Sequence, residues 1–107
     1  MGDHRRVIWA PRAQSDLREI WRYFARVGSA DVADGILLDI DRTTKRLAQN
    51  PFLGRPREEL APQLRSVLVH PHVLFYRVFD HTIEIARALH QRRDLAAIFV
   101  REPGRER

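Results

Sequence analysis

The chain has no cysteine, one methionine, one lysine (Lys45) and no long uninterrupted apolar run. Each absence closes a class. Without cysteine there are no disulfides and no zinc–thiolate sites. Without about 20 consecutive apolar residues no segment spans a bilayer, so no membrane partner is expected. The opening, Met1 to Arg6, is polar and leads straight into an apolar run, so no signal peptide is expected and the cytoplasm is the expected compartment. His4, His70, His72 and His81 lack cysteine partners and helical ligand spacing, so no metal site is expected either. The scarcity of lysine means that the basic side is almost entirely arginine: Lys and Arg together number 19 against 14 acidic residues, a net charge of +5. A basic balance favours anionic partners, whether nucleic acid or an acidic protein. Arginine suits interfaces because it stays charged and offers a planar fork of donors. A coding bias of the source genome would give the same preference.

What is present fits one domain over residues 1–107, with a modest core. The chain is organised around Leu64 to Asp94. Three runs rich in Val, Ile, Phe and Tyr, namely Leu64 to Val69, Val73 to Phe79 and Thr82 to Leu89, read as strands. His70-Pro71-His72 and Asp80-His81 separate them, and connections this short join only antiparallel neighbours, which makes a meander. The middle run is apolar on both faces, as a strand covered on both sides should be. The third alternates, with Ile83, Ile85 and Leu89 on one face and Glu84, Ala86 and Ala88 on the other. By that parity His90 faces away from the helices.

Upstream, Arg6 to Trp9 reads as a short strand. Pro11 suits the first turn of a helix. Ala13, Leu17, Ile20, Trp21 and Phe24 then recur at helical spacing and define a core face. Gly28 ends this helix and Ser29 or Asp31 caps the next, whose stripe is Val32, Ile36, Leu37, Ile40 and Leu47. Gly35 inside it costs up to about 1 kcal/mol relative to alanine, so a close helix–helix approach is expected there. Asn50-Pro51 ends the helix. Pro51 to Gln63 is a loop, and Asp94 caps a last short helix with Leu95, Ile98 and Phe99 on one face. The result is an α+β fold: an N-terminal strand, an antiparallel two-helix hairpin on a small antiparallel sheet (β-α-α-β-β-β), and a short C-terminal helix. The hairpin must cover one sheet face, since neither layer buries its apolar side alone.

Several stretches together resemble the ParE-type toxins of the RelE/ParE toxin–antitoxin superfamily. They are Val7-Ile8-Trp9-Ala10-Pro11-Arg12-Ala13 with Asp16-Leu17, Asn50-Pro51, Gly54-Arg55-Pro56-Arg57, Glu59-Leu60, Leu64-Arg65-Ser66, Phe75-Tyr76-Arg77-Val78, and Ile83 through Asp94. The resemblance runs from about Val7 to Phe99. It implies a toxin that arrests growth and is neutralised by a co-expressed antitoxin. ParE-type members are associated with inhibition of DNA gyrase, RelE-type members with cleavage of mRNA on the ribosome. Two positions depart from the pattern. Ala10 stands where a capping Ser or Thr is usual, and Val73 stands where RNA-cleaving relatives often carry a basic residue.

Ribonuclease chemistry on this fold needs a base for the 2′-hydroxyl, an acid for the leaving oxygen and cations at the phosphate. Arg65, Arg87 and His90 are the candidates for it. For binding a target or partner the candidates are Arg55, Arg57, Arg65, His90, Arg92 and Arg93. Each has a structural alternative. His90 buttresses the turn before Asp94; Arg87, on an apolar face, pairs with Asp94 or a helix carboxylate; Arg55 and Arg57 sit in a solvated loop. Because Val73 removes an expected cation, the binding-type gyrase inhibitor is the leading expectation and the ribosome-dependent ribonuclease the alternative. No cofactor is implied. The expected partners are DNA gyrase and an antitoxin segment that is acidic and partly apolar, with homo-oligomers and toxin–antitoxin hetero-oligomers both open.

Overall fold

The structure is a computed structural model and describes residues 4–93 and 95–100. Its elements are β1 (Arg6–Trp9), α1 (Pro11–Val27), α2 (Ala30–Gln49), β2 (Arg55–Pro56), β3 (Arg65–Val69), β4 (His72–Val78), β5 (Thr82–His90) and α3 (Leu95–Val100). The expected architecture is present, with two refinements. A two-residue strand, β2, lies inside the proline-rich loop. The sheet is mixed, in the order β1-β5-β4-β3-β2, because β1 joins β5 in parallel, Arg6 opposite Thr82 through Trp9 opposite Ile85. Among the described residues no helix is long and apolar enough to cross a membrane.

The helix ends follow from local chemistry. Pro11 opens α1, and Ala10 leaves it without a side-chain cap. Gly28 closes it, donating its N–H to the Phe24 carbonyl at 2.9 Å. The Ser29 hydroxyl then caps α2 by accepting the Val32 N–H at 3.1 Å. The hairpin covers one face of the sheet, where Ala13, Ile20, Ile40 and Leu47 meet Leu74, Tyr76, Ile83, Ile85 and Ala88. On the other face Leu60, Ala61 and Leu64 with Phe99 of α3 enclose Phe75, Ala86 and Leu89. Burial on both faces is why β4 reads as continuously apolar.

Four expectations are corrected. The alternation of β5 does not persist, because a bulge lies opposite Phe75 and Tyr76: Phe75 pairs with Arg87 and Tyr76 with Ile85, leaving Ala86 over. One extra residue exchanges the faces beyond it. Ala88 therefore joins the hairpin core, Leu89 packs on the opposite side with Phe75, and His90 turns toward the helices rather than away. Second, Gly35 serves no close approach, since a Cβ built there meets nothing within 4 Å. Third, Val32 is 48% exposed, and Leu17, Trp21, Phe24 and Ile36 are half-buried rather than buried. They lie at the margins of a two-layer structure, where a single helix pair leaves its flanks to solvent. Fourth, Phe79 is exposed at the end of the meander. The cap expected at Asp94, and everything after Val100, lie outside the described residues.

Glycine is required at Gly54. A Cβ there would sit 2.6 Å from the Tyr76 hydroxyl oxygen and against the Ser66 carbonyl. Tyr76 is fully buried, donates its hydroxyl to the Pro51 carbonyl at 2.8 Å and accepts the Gly54 N–H at 2.9 Å. These bonds pin the loop after α2 to the sheet centre and set the path of the arginine-bearing segment that follows.

Candidate functional site

The candidate side chains fall into three groups, each placed by a different element. At the sheet edge, β2 pairs with β3 only through Arg55 opposite Ser66 and Pro56 opposite Arg65. Arg55 is exposed. Arg57 is not a free loop cation: its Nε donates to Glu59 at 2.7 Å, its Nη1 to the Ser66 hydroxyl at 3.2 Å, and its guanidinium lies 5.7 Å above the Phe75 ring. That pairing holds the Glu59 carboxyl below the usual carboxylate range. Arg65 donates to the Gly54 carbonyl at 2.6 Å and lies 5.0 Å from the ring of Phe52, itself 60% exposed. A cleft of about 440 Å³ lined by Leu53, Arg55, Arg57, Val67, Leu68 and Val73 runs along this edge.

The second group is a buried ion pair. Arg87 Nε and Nη2 donate to the two oxygens of Asp16 at 2.9 and 3.0 Å, and the Ala88 N–H donates to the same carboxylate at 2.9 Å. The fold explains the position. β1 ends at Trp9, its last contact with β5 being the Ala10 N–H to the Ile85 carbonyl. Beyond it the edge of β5 has no neighbouring strand among the described residues, and the first turns of α1 bring Asp16 to the exposed backbone. The expected helix carboxylate is thus Asp16, which takes up two of the three guanidinium nitrogens of Arg87. Its signal in the sequence was a carboxylate between Ala13 and Ile20 on the apolar face of α1.

The third group lies where β5 ends. His90 accepts the Arg92 N–H at Nδ1, 3.1 Å away, so it does buttress the turn; Arg92 and Arg93 are exposed beside it. His90 also lines a cavity of about 250 Å³ with Ile20, Tyr23, Phe24, His72, Glu19 and Arg93. In the sequence His72 was only set aside as a metal ligand. It is 3% exposed, edge-on to Phe24 at 5.8 Å and to His90 at 5.9 Å. Burial, and then the charges of His90 and His70, hold its pKa below the ordinary histidine value. Among the described residues no three metal-ligating side chains come together.

The sheet-edge group stands apart from His90, whereas Asp16, the partner of Arg87, lines the same cavity as His90. Arg65 pairs with Tyr76 and His90 with His72, four residues apart along β4 and two strands apart across the sheet. That is about 13 Å along the strands and about 10 Å across them. Val73 packs toward α3, whereas His90 faces the hairpin, so the sheet separates those two positions.

A helix hairpin on a sheet whose first strand enters parallel beside its last is the fold of the ParE and RelE toxins. A chain of the chromosomal ParDE toxin–antitoxin system from P. aeruginosa superposes with a TM-score of 0.72 at 27% identity, covering 83% of this chain and 98% of that one. A chain of the toxin–antitoxin complex RelBE2 from Mycobacterium tuberculosis gives 0.60 at 23% identity over 82% and 99%, a likeness of fold alone. In sequence, the family described as the ParE toxin of type II toxin–antitoxin systems matches residues 7–95. Toxin ParE1 of Mycobacterium tuberculosis is 37% identical over 91 residues, 84% of this chain and 93% of that toxin. The chain belongs to the ParE toxin family of type II toxin–antitoxin systems.

Proposed function

We propose that this toxin arrests growth in the cytoplasm by binding DNA gyrase rather than by cutting RNA, and that an acidic antitoxin segment silences it. The observation that carries the reading is the dispersal of the ribonuclease candidates. Arg87 is locked to Asp16 and Arg65 to loop carbonyls, while His90 lies about 16 Å from Arg65 by strand geometry. General acid–base catalysis needs its groups within hydrogen-bond reach of one substrate. Binding has no such requirement, and the exposed Arg55, Arg92 and Arg93 supply cationic contacts for it, with the half-buried His90 beside the last two.

The antitoxin segment is assigned to the β3 edge. Past Ser66 no strand pairs with the outer side of β3 among the described residues. Leu68 and Phe52 are 58% and 60% exposed there, close to Arg55. An extended segment adds to such an edge through backbone hydrogen bonds, while its apolar and acidic side chains meet leucine and arginine.

The experiment sets purified toxin against gyrase supercoiling and, separately, against programmed ribosomes. Inhibition of supercoiling should survive His90→Ala largely intact, and should be relieved by the product of the adjacent reading frame, less well against Leu68→Asp. Positioned cleavage of ribosome-bound mRNA that disappears in His90→Ala would instead place the protein with the ribonucleases.

A further inference from the structure

The outward side of the helix hairpin carries a groove that the fold leaves uncovered. Its floor is Leu17, Trp21 and Leu37, and it encloses about 310 Å³. Arg18 and Arg22 form the α1 rim. The α2 rim carries two aspartates. Asp34 faces α1, since it accepts the Trp21 Nε1–H at 2.8 Å, and Asp41, two helical turns further on, lies on the same side, paired with Lys45 at 3.1 Å beyond it. Leu38 on that side is 48% exposed. Among the described residues neither Arg18 nor Arg22 has a carboxylate partner; Arg18 reaches only the Ser15 hydroxyl. The groove is therefore apolar in the middle, basic along one wall and, with Asp34 and the Lys45-paired Asp41, net acidic along the other.

We infer that a second copy of this chain covers the groove, with a two-fold axis running parallel to it. That axis sets α1 of each copy against α2 of the other, so each arginine wall meets an aspartate wall, and the contact forms twice by symmetry. Counting from the hairpin turn, Arg22 stands level with Asp34 and Arg18 near Asp41, so the charges also match in height. An axis across the groove would instead stack arginine on arginine, and the charges exclude it. The chosen axis makes all neighbouring helices antiparallel, an up-down-up-down four-helix arrangement with Leu17, Trp21 and Leu37 from both copies inside and opposite charges flanking them. Covering Trp21 strands no donor, because its indole N–H is already bonded to Asp34. The face is about 26 Å long and about 20 Å wide. Some 500 Å² per copy is less than the roughly 800 Å² of a standard interface. The pair is a weak, reversible and salt-sensitive dimer, and it uses neither the β3 edge nor the β5 end, so it stands apart from the proposed target and antitoxin.

The experiment is a charge exchange followed by sedimentation equilibrium of the full chain. Arg18→Glu with Arg22→Glu makes both walls acidic; Asp34→Lys with Asp41→Lys makes both basic. Each variant alone should dimerise at least about tenfold more weakly than the wild type, with an unchanged far-UV spectrum. An equimolar mixture should restore the dimer, as a heterodimer. A wild type monomeric up to millimolar concentration, variants that self-associate as the wild type does, or a mixture that stays monomeric would each overturn the inference. So would a groove occupied by the antitoxin in a wild type that does not dimerise.

Discussion

Asp16 and Arg87 carry the largest single consequence at the residue scale. Both side chains are more than nine-tenths buried, and one carboxylate satisfies two guanidinium donors and the Ala88 N–H. Removing one partner leaves a buried charge uncompensated, so Asp16→Ala should lower stability by about 3–5 kcal/mol in denaturant titration. Asp16→Ala combined with Arg87→Leu should recover part of that loss, since the orphaned charge is gone; a double variant as unstable as the sum of its singles would contradict this account. The sequence marked Arg87 as a misfit, a guanidinium on an apolar face, but did not single out Asp16. It did not show that they meet, because they stand 71 positions apart in the chain.

At the scale of elements, α2 offers a gain. Gly35 has helical backbone and open space beyond its Cα, so nothing offsets its entropic cost. Gly35→Ala should stabilise the protein by about 0.5–1 kcal/mol, read as a raised thermal midpoint; destabilisation would show that a neighbour needs the missing Cβ. The expectation of close helix packing at Gly35 failed because propensity tells what a glycine costs and not what it faces. The helices themselves were legible from their periodicity, their proline and glycine punctuation and the Ser29 cap. β5 was legible as a strand but misread as a surface. Ala86 carries no mark of a bulge, and one unpaired residue exchanged the faces of Leu89 and His90.

For the whole molecule, His72 links stability to pH. It lies between Phe24 of α1 and His90 of β5, and its pKa in the fold is lower than the 6.5 of an ordinary histidine. Below pH 6.5 the unfolded chain takes up a proton that the folded chain refuses. Stability should then fall as the pH drops from 6.5 toward the depressed folded value, with full stability kept above 6.5. The slope is at most about 1.4 kcal/mol per pH unit. Urea midpoints between neutral and mildly acidic pH check this, and a His72→Phe variant should show a flatter profile; an equal slope in both would assign the effect elsewhere.

The amino-acid sequence by itself determined the number and kind of the main elements, the hairpin-on-sheet architecture and the membership suggested by its resemblance to ParE-type toxins. The elements and architecture depend on local periodicity, capping and turn chemistry, which act over a few residues; the membership rests on the resemblance of the quoted stretches. Tertiary structure alone decided that β1 enters beside β5, that Asp16 takes over the open edge beyond it, and that His90 turns inward to His72. It also decided that Arg65 and His90 stay apart and that Arg87 is held by Asp16. Each of these rests on which strand pairs with which and in what register, and register is set by contacts between residues far apart in the chain.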